Sequence, residues 1–356
     1  MRISRKNSAT RFAGLGGWLL LCLLAWHAAA SAQARPRTAG DLRLMFYNLE
    51  NYFSPFADSL NPQKEFAENA PRRWTWQRFT KKTNDIFKVI VAVGGVAPPD
   101  LIGVCEVESR FVLNRLTQET PLAKFPYGVV HHDSPDERGI DVGLIYNRET
   151  FRLMGSRFFE VALPSGRTTR EILLAKGVVN ELDTLHVAVC HLPSKYGGAA
   201  ASEGGRMAAA NVLRHIADSI LTASPIANLV VMGDFNDTPD SRCISEGLGA
   251  SANLNGAAPD SLYNLALPLH HADVGSIKFQ GKWELIDMFF VSGNLLNKNS
   301  PIYCLPSDYY IFSPPFLLEP DEAYTGSKPR RTYNGFRYAG GVSDHLPAAL
   351  DVRKGY

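Results

Sequence analysis

Leu229-Val230-Val231-Met232-Gly233-Asp234-Phe235-Asn236-Asp237 sets an apolar run and a glycine directly before a cluster of carboxylate and amide side chains. The run has the length of a short buried strand. Its polar tail falls where such a strand feeds a loop, the position at which binding and catalytic groups concentrate. The arrangement recurs outward along the chain. Leu44-Met45-Phe46-Tyr47 runs into Asn48-Leu49-Glu50-Asn51, and Leu101-Ile102-Gly103-Val104-Cys105 into Glu106-Val107-Glu108. Val187-Ala188-Val189-Cys190 runs into His191, Leu285-Ile286 into Asp287, and Gly341-Val342-Ser343 into Asp344-His345. One such junction is an ordinary turn or helix cap. Their repetition exceeds what solubility requires.

Alternating or continuous apolar runs predict strands over Leu42–Asn48, Leu101–Cys105, Tyr127–His131, Val142–Tyr146, Phe158–Val161, Glu171–Val179, Leu185–His191, Leu229–Met232, Glu284–Val291 and Ala348–Val352. Helical spacing predicts helices over Trp76–Val93, Glu108–Gln118 and Glu203–Ala223. Strands interleaved with helices imply α/β layers. Residues 245–278 read as loop, and no gap rich in Pro, Gly and Ser marks a second domain. The expected organisation is a signal peptide and cleavage region over 1–34, a linker over 35–40 and one domain over 41–356.

A chain of 356 residues, 45% hydrophobic and 20% charged, can bury a large core. Its net charge of +2 argues neither for nor against a polyanionic partner. At the start, Arg2, Arg5, Lys6 and Arg11 precede the apolar run Trp18–Trp26, and small residues follow through Ala30-Ser31-Ala32. That is the order of a secretory signal peptide. The run falls short of the roughly 20 residues that span a bilayer. Cleavage is expected near Ala32 or Ala34, giving a secreted or periplasmic mature chain with no integral membrane segment, expected to be monomeric. Of the remaining cysteines, Cys105 and Cys190 lie in apolar strand-like runs that suit buried free thiols.

The polar junctions combine two chemistries. Carboxylate and amide oxygens are hard donors suited to Mg²⁺, Mn²⁺ or Ca²⁺, and two histidines at separate strand ends suit proton transfer. Hydrolysis of a phosphodiester needs both. The ester already carries negative charge, so attack by water requires a cation or donors on the non-bridging oxygens and a base for the water.

Taken together, Gly233-Asp234-Phe235-Asn236 and Ser343-Asp344-His345-Leu346-Pro347, with Asn48-Leu49-Glu50-Asn51 and Glu106 preceding them in order, resemble the endonuclease/exonuclease/phosphatase superfamily. The resemblance runs from about Leu42 to Val352. It implies a four-layer α/β sandwich of the DNase I type, in which two mostly antiparallel sheets pack face to face with helices outside. It also implies a metal-dependent phosphoesterase. Glu106 would be the principal metal ligand, with Asn48, Glu50 and Asp344 around the metal or a second site. Asp234 and Asn236 would grip the phosphate side and orient the attacking water. His345 would be the general base, oriented by Asp287, and His191 would donate a hydrogen bond or proton across the phosphate.

Arg138, before a strand, suits phosphate by its bidentate fork, though a surface salt bridge reads equally well. The loop His191-Leu192-Pro193-Ser194-Lys195-Tyr196-Gly197-Gly198, with Arg206 beyond it, resembles one in secreted bacterial-type members. Lys195 and Arg206 are therefore candidate phosphate contacts. The basic cluster Lys328-Pro329-Arg330-Arg331 reads as a solvated loop before a polyanion track. His131 and His132 read as surface or core histidines. The leading expectation is a nuclease or related phosphodiesterase acting on nucleic acid or another diester, with Mg²⁺ as cofactor and Mn²⁺ or Ca²⁺ as substitutes. A phospholipid or sugar and inositol phosphate phosphatase on the same scaffold is the first alternative, and an inactive binding protein the second.

Overall fold

Most of the apolar runs become strands in the computed structural model, which describes residues 35–56 and 64–355. In chain order these are β1 Leu42–Tyr52, β2 Leu101–Val107, β3 Tyr127–His131, β4 Asp141–Asn147, β5 Phe151–Phe159, β6 Ile172–Val179, β7 Asp183–His191, β8 Asn228–Asp234 and β9 Leu262–Asn264. There follow β10 Ile277–Phe279, β11 Lys282–Glu284, β12 Asp287–Ser292, β13 Ile302–Tyr303 and β14 Tyr309–Ile311. Two hairpins, β15 (Leu318–Pro320) with β16 (Ser327–Pro329) and β17 (Tyr333–Asn334) with β18 (Arg337–Tyr338), precede β19 Ala348–Lys354.

One sheet runs β13-β19-β1-β2-β4-β3, with β14 also on β19, and the other runs β5-β6-β7-β8-β12-β9. Each is mostly antiparallel around one parallel pair, β1 with β2 and β7 with β8. The sheets pack face to face as expected. At Gly103 of β2 a Cβ would stand 2.7 Å from Met232 Cε of β8, so the missing side chain lets the methionine cross the interface. Helices Trp76–Gly94 and Arg110–Gln118 flank the first sheet, and Ala199–Ala223 lies against the second.

The first of these helices starts where Thr75 Oγ1 accepts the Arg78 N–H at 3.3 Å, a side-chain N-cap. It buries the stripe Phe79, Ile86, Val89, Ile90 and Val93. Each such side chain contributes about 1.5–3 kcal/mol on full burial. Beneath it Arg43 is fully buried, its guanidinium bonded to both oxygens of Asp351 at 2.7 and 2.8 Å and to Val93 O at 2.7 Å. The carbonyls satisfy donors that would otherwise make a buried cation prohibitive.

Several boundaries differ from the sequence reading. Strand β5 begins at Phe151 rather than Phe158, because it is an edge strand whose exposed Arg152, Ser156 and Arg157 disguise the apolar alternation. The single strand expected over Glu284–Val291 breaks at Leu285-Ile286 into β11 and β12. Residues 245–278, expected as loop, carry β9, β10 and a short helix, Leu267–His271, and a π-helical turn Cys243–Leu248 opens the stretch. The expected linker is tethered, with Arg37 donating to Asp100 Oδ2 at 2.7 Å and to Ala97 O at 2.8 Å. The expected signal peptide lies outside the described residues. Among the described residues no helix is long and apolar enough to cross a membrane. Cys105, Cys190, Cys243 and Cys304 are all buried and unpaired.

Candidate active site

Strand pairing puts three of the expected residues in one row. In the parallel pair β7/β8, His191 lies opposite Asp234, and in the antiparallel pair β8/β12, Asp234 lies opposite Asp287. His345, from the loop before β19, completes the row. Its Nδ1 is 2.8 Å from Asp287 Oδ2 and its Nε2 is 3.8 Å from Asp234 Oδ2. The same Asp234 oxygen lies 3.5 Å from His191 Nε2 and accepts the Asn48 Nδ2–H at 3.0 Å. Ser343 fixes the loop by donating its hydroxyl to Asn48 O at 2.7 Å while accepting the His345 N–H at 3.1 Å.

The neighbouring acidic pocket is built by bulges. Pairing of β1 with β2 shifts register between Asn48 and Tyr52, and pairing of β2 with β4 shifts between Cys105 and Val107. Within these bulges Glu50, Asn51 and Glu106 take φ of 45, 55 and 57°, a left-handed conformation uncommon outside glycine. A bulge re-aims side chains. Here it turns Glu106 so that Oε2 accepts the Asn51 N–H at 2.8 Å, while Oε1 stands 3.7 Å from Arg138 Nη2. Arg138 is held by donating to Asn51 Oδ1 at 2.9 Å.

Glu50 and Asp344 are bridged by Arg331, whose Nε donates to Glu50 Oε1 at 3.2 Å and whose Nη2 donates to Asp344 Oδ2 at 2.9 Å. Glu50 Oε2 accepts the Thr332 N–H at 2.6 Å. Lys82, fully buried, donates from Nζ to Glu50 O at 2.6 Å and Thr332 Oγ1 at 2.7 Å. Burial and the facing Asp344 push the Glu50 carboxyl up to about 7 against the pull of Lys82 and Arg331. Burial also brings the Lys82 ammonium down to about 8, opposed by Glu50, Asp344 and Glu106.

In the histidine row, burial raises Asp234 to about 7; His345 opposes this and Asp287 adds to it. Burial alone would lower His345, but Asp287, by charge and hydrogen bond, and then Asp234 and Asp344 lift it well above the usual histidine range. His191 goes the other way, held neutral by burial and by Arg170, Arg138 and His345. Two histidines on either side of one carboxylate are thereby shifted in opposite directions.

The residues fit a hard divalent cation. Repulsion and burial leave Glu50 short of compensating charge, and the oxygens at this end are carboxylate and amide. Glu106 Oε1 and Asp344 Oδ1 are in no hydrogen bond among the described residues, which leaves both oxygens free to meet a cation. Asn48, expected near the metal, has both amide atoms in use. Its Oδ1 accepts the Glu50 N–H at 2.9 Å and its Nδ2 serves Asp234, so it joins the two halves of the site. Asn236, at φ 51°, donates its N–H to Asp234 Oδ1 at 2.9 Å and Nδ2–H to Leu192 O at 3.0 Å.

Two expected phosphate contacts are diverted. Arg206 is buried, with Nε on Asp237 Oδ2 at 2.8 Å, Nη1 on Ser202 Oγ at 2.7 Å and Nη2 on Ala199 O at 2.9 Å. Its fork ties the first turn of helix Ala199–Ala223 to Asp237 in the loop after β8. Lys195 Nζ is 3.3 Å from Asp237 Oδ1 and 3.7 Å from Glu284 Oε2. The sequence reading missed Lys82, Arg331 and Thr332. Only the basic cluster at Lys328–Arg331 signalled one of them, and it read as solvated loop. His131 is a core histidine on Asp141 at 3.1 Å, and His132 pairs with Glu171 at 2.6 Å.

Comparison with solved structures finds the same fold. The human Nocturnin catalytic domain with bound sulfate anion is 18% identical at a TM-score of 0.52, covering 90% of this chain and 96% of that one. D. rerio TDP2 complexed with single strand DNA product is 13% identical at a TM-score of 0.53, over 88% and 99%. The endonuclease/exonuclease/phosphatase from Bacteroides vulgatus is 16% identical at a TM-score of 0.52, over 88% and 99%. Curated proteins yield no match. The family model of the Endonuclease/Exonuclease/phosphatase family matches residues 43–354, which span both sheets and every residue of the site. The chain therefore belongs to the endonuclease/exonuclease/phosphatase family and is a metal-dependent hydrolase of phosphate ester bonds.

Proposed function

We propose that the chain is an exported, monomeric, Mg²⁺-dependent phosphodiesterase whose substrate is a nucleic acid strand or a chemically similar diester. The carrying observation is the row His191–Asp234–Asp287 with His345 seated 2.8 Å from Asp287, lying beside the Glu106 and Asp344 carboxylates. A diester is favoured over a monoester because the cations available to a phosphate are few. Lys195 and Arg206 share Asp237, Lys195 also facing Glu284, while Arg138 faces Glu106 and Arg331 bridges Glu50 and Asp344, so each of these four cations already has a carboxylate partner. A monoester dianion calls for more positive charge than that. The likeness to a DNA-product complex supports a strand as substrate.

A divalent cation on Glu106 and Asp344 would polarise a non-bridging phosphate oxygen. The protein groups do the proton work. His345 was expected as the base; because Asp287 and Asp234 lift it well above the usual histidine range, it is assigned the role of cation and donor to the phosphate instead. Asp234, at about 7 without metal, takes the proton of the attacking water. Asn48 and the Asn236 N–H keep Asp234 in place. Neutral His191 supplies the hydrogen bond on the opposite side of the phosphate.

The test is turnover of single-stranded DNA, RNA, bis(p-nitrophenyl) phosphate and p-nitrophenyl phosphate with Mg²⁺, Mn²⁺, Ca²⁺ or chelator. Diester cleavage lost in chelator is expected. Release of phosphate from the monoester alone would replace this reading with a phosphatase, and no turnover of any substrate would leave a binding protein.

A further inference from the structure

On the outer face of the second sheet, away from the site just described, a cavity of about 690 Å³ opens between β5, β6, β7 and helix Ala199–Ala223. Its floor is apolar, formed by Phe159, Leu174, Val212, Ile216 and Ile220, and Met154 stands exposed at its edge. The volume lies inside the range of about 300–1,000 Å³ typical of small-molecule sites.

The polar groups around it all have one character. Lys176, Arg157, His186 and His215 line the cavity with Ser156 and Ser219, and no acidic side chain does. Lys176 and Arg157 have no ion-pair partner among the described residues, and Arg157 lies over the Phe159 ring at 5.0 Å. In the β6/β7 register Lys176 faces His186 directly, and in the β5/β6 register its other neighbour is Gly155. A Cβ at Gly155 would meet nothing within 4 Å, so the space beside Lys176 is open. His186 Nδ1 is buried there without a hydrogen-bond partner, which costs free energy until something fills it.

We infer that this cavity binds a free single-chain anionic amphiphile of the fatty-acid class, its headgroup between Lys176, Arg157 and His186 and its alkyl chain along the helix. The apolar part, from Val212 to Ile220, runs for roughly 12 Å at 1.5 Å per residue. An uncharged apolar ligand would leave the cations and the orphaned imidazole nitrogen unanswered, and a cationic one would be repelled. The inference is independent of the phosphodiesterase reading, since none of these residues belongs to that site.

The experiment is calorimetric titration of the full chain with dodecanoate below its micellar concentration. Dodecyltrimethylammonium and phosphatidylglycerol vesicles serve as comparison arms. Saturable one-to-one binding of dodecanoate is expected, absent for dodecyltrimethylammonium. Lys176→Glu should weaken it at least about tenfold, the loss of one charge-assisted hydrogen bond. Gly155→Trp, which places a side chain where a Cβ meets nothing within 4 Å, should abolish it while the melting temperature holds. Equal binding by Lys176→Glu, equal uptake of the cationic amphiphile, or association only with vesicles would overturn the inference. So would a dimer of the ligand-free chain that Gly155→Trp converts to monomer, because a second copy would then be the occupant.

Discussion

Replacing Asp287 by Asn keeps the shape of the hydrogen bond to His345 and removes the charge. The two side chains meet at 2.8 Å in a fully buried setting, so the imidazolium loses its principal partner. Opposite charges centred about 4 Å apart at an effective dielectric of about 20 attract by roughly 4 kcal/mol. At 1.36 kcal/mol per pH unit that bounds the change at about 3 units, and the burial that opposes the charge then goes uncompensated. His345 should therefore drop from well above the histidine range to within or below it. If His345 acts as the cation, the alkaline limb of kcat/KM against pH moves down by about 1 to 3 units in Asp287→Asn. The rate at pH 8 should fall about 10²- to 10⁴-fold, the range of a lost proton-transfer group. Steady-state cleavage of bis(p-nitrophenyl) phosphate across pH 5 to 10 reads both. A shift of the acidic limb instead, with activity retained at low pH, would show that His345 works unprotonated and refute the assignment of Asp234 as base.

Further outcomes follow from other parts of the fold. Glu50 is raised to about 7 from the ordinary 4.5, so without metal it favours the folded state fully below about 4.5 and loses that stabilisation as pH rises through 7. Mg²⁺ should therefore raise the melting temperature more at pH 8 than at pH 5, and an equal gain at both would contradict a cation bound beside this carboxylate. Asp351→Ala strands the buried Arg43 guanidinium and should cost about 3–5 kcal/mol in urea unfolding; a loss under about 1 kcal/mol would mean the pair is solvated. At Gly233 a Cβ would lie 2.4 Å from Cys190 O, a backbone atom that cannot swing aside, so Gly233→Ala should cost about 1–3 kcal/mol and slow turnover by displacing Asp234; an unchanged melting temperature would refute the close approach. Arg206→Ala should lower thermal stability while leaving KM near its original value, and a KM rise with stability intact would return Arg206 to the phosphate.

The sequence announced its central strands because β1, β2, β7 and β8 are buried over nearly their whole length and read as apolar runs. It concealed β5 because an edge strand presents polar side chains to water. The polar ends of β7, β8 and β12 marked His191, Asp234 and Asp287 as candidates, and pairing in register carries these three into one row; His345, from the loop before β19, was joined to them by the family resemblance. Arg331 and Lys82 were not, because their partners are distant in sequence: Arg331 reaches Glu50 across 281 residues, and Lys82 reaches Thr332 across 250. The place of Arg206 was within reach. It shares the helical stripe of Ala209, Ala210, Leu213, Ile216 and Ala217, all buried, and that spacing already pointed it inward.

The left-handed backbone at Glu50, Asn51, Glu106 and Asn236 has a bearing on how this protein could be made hardier. Each such residue is disfavoured by about 1–2 kcal/mol relative to a right-handed one, and glycine would relieve the tension. Yet Asn51 anchors Arg138, the Asn236 backbone N–H steadies Asp234, and Glu50 and Glu106 are the carboxylates proposed to face the cation. Heat tolerance and turnover are thus traded at the same positions, and selection for a tougher enzyme would have to look elsewhere in the chain.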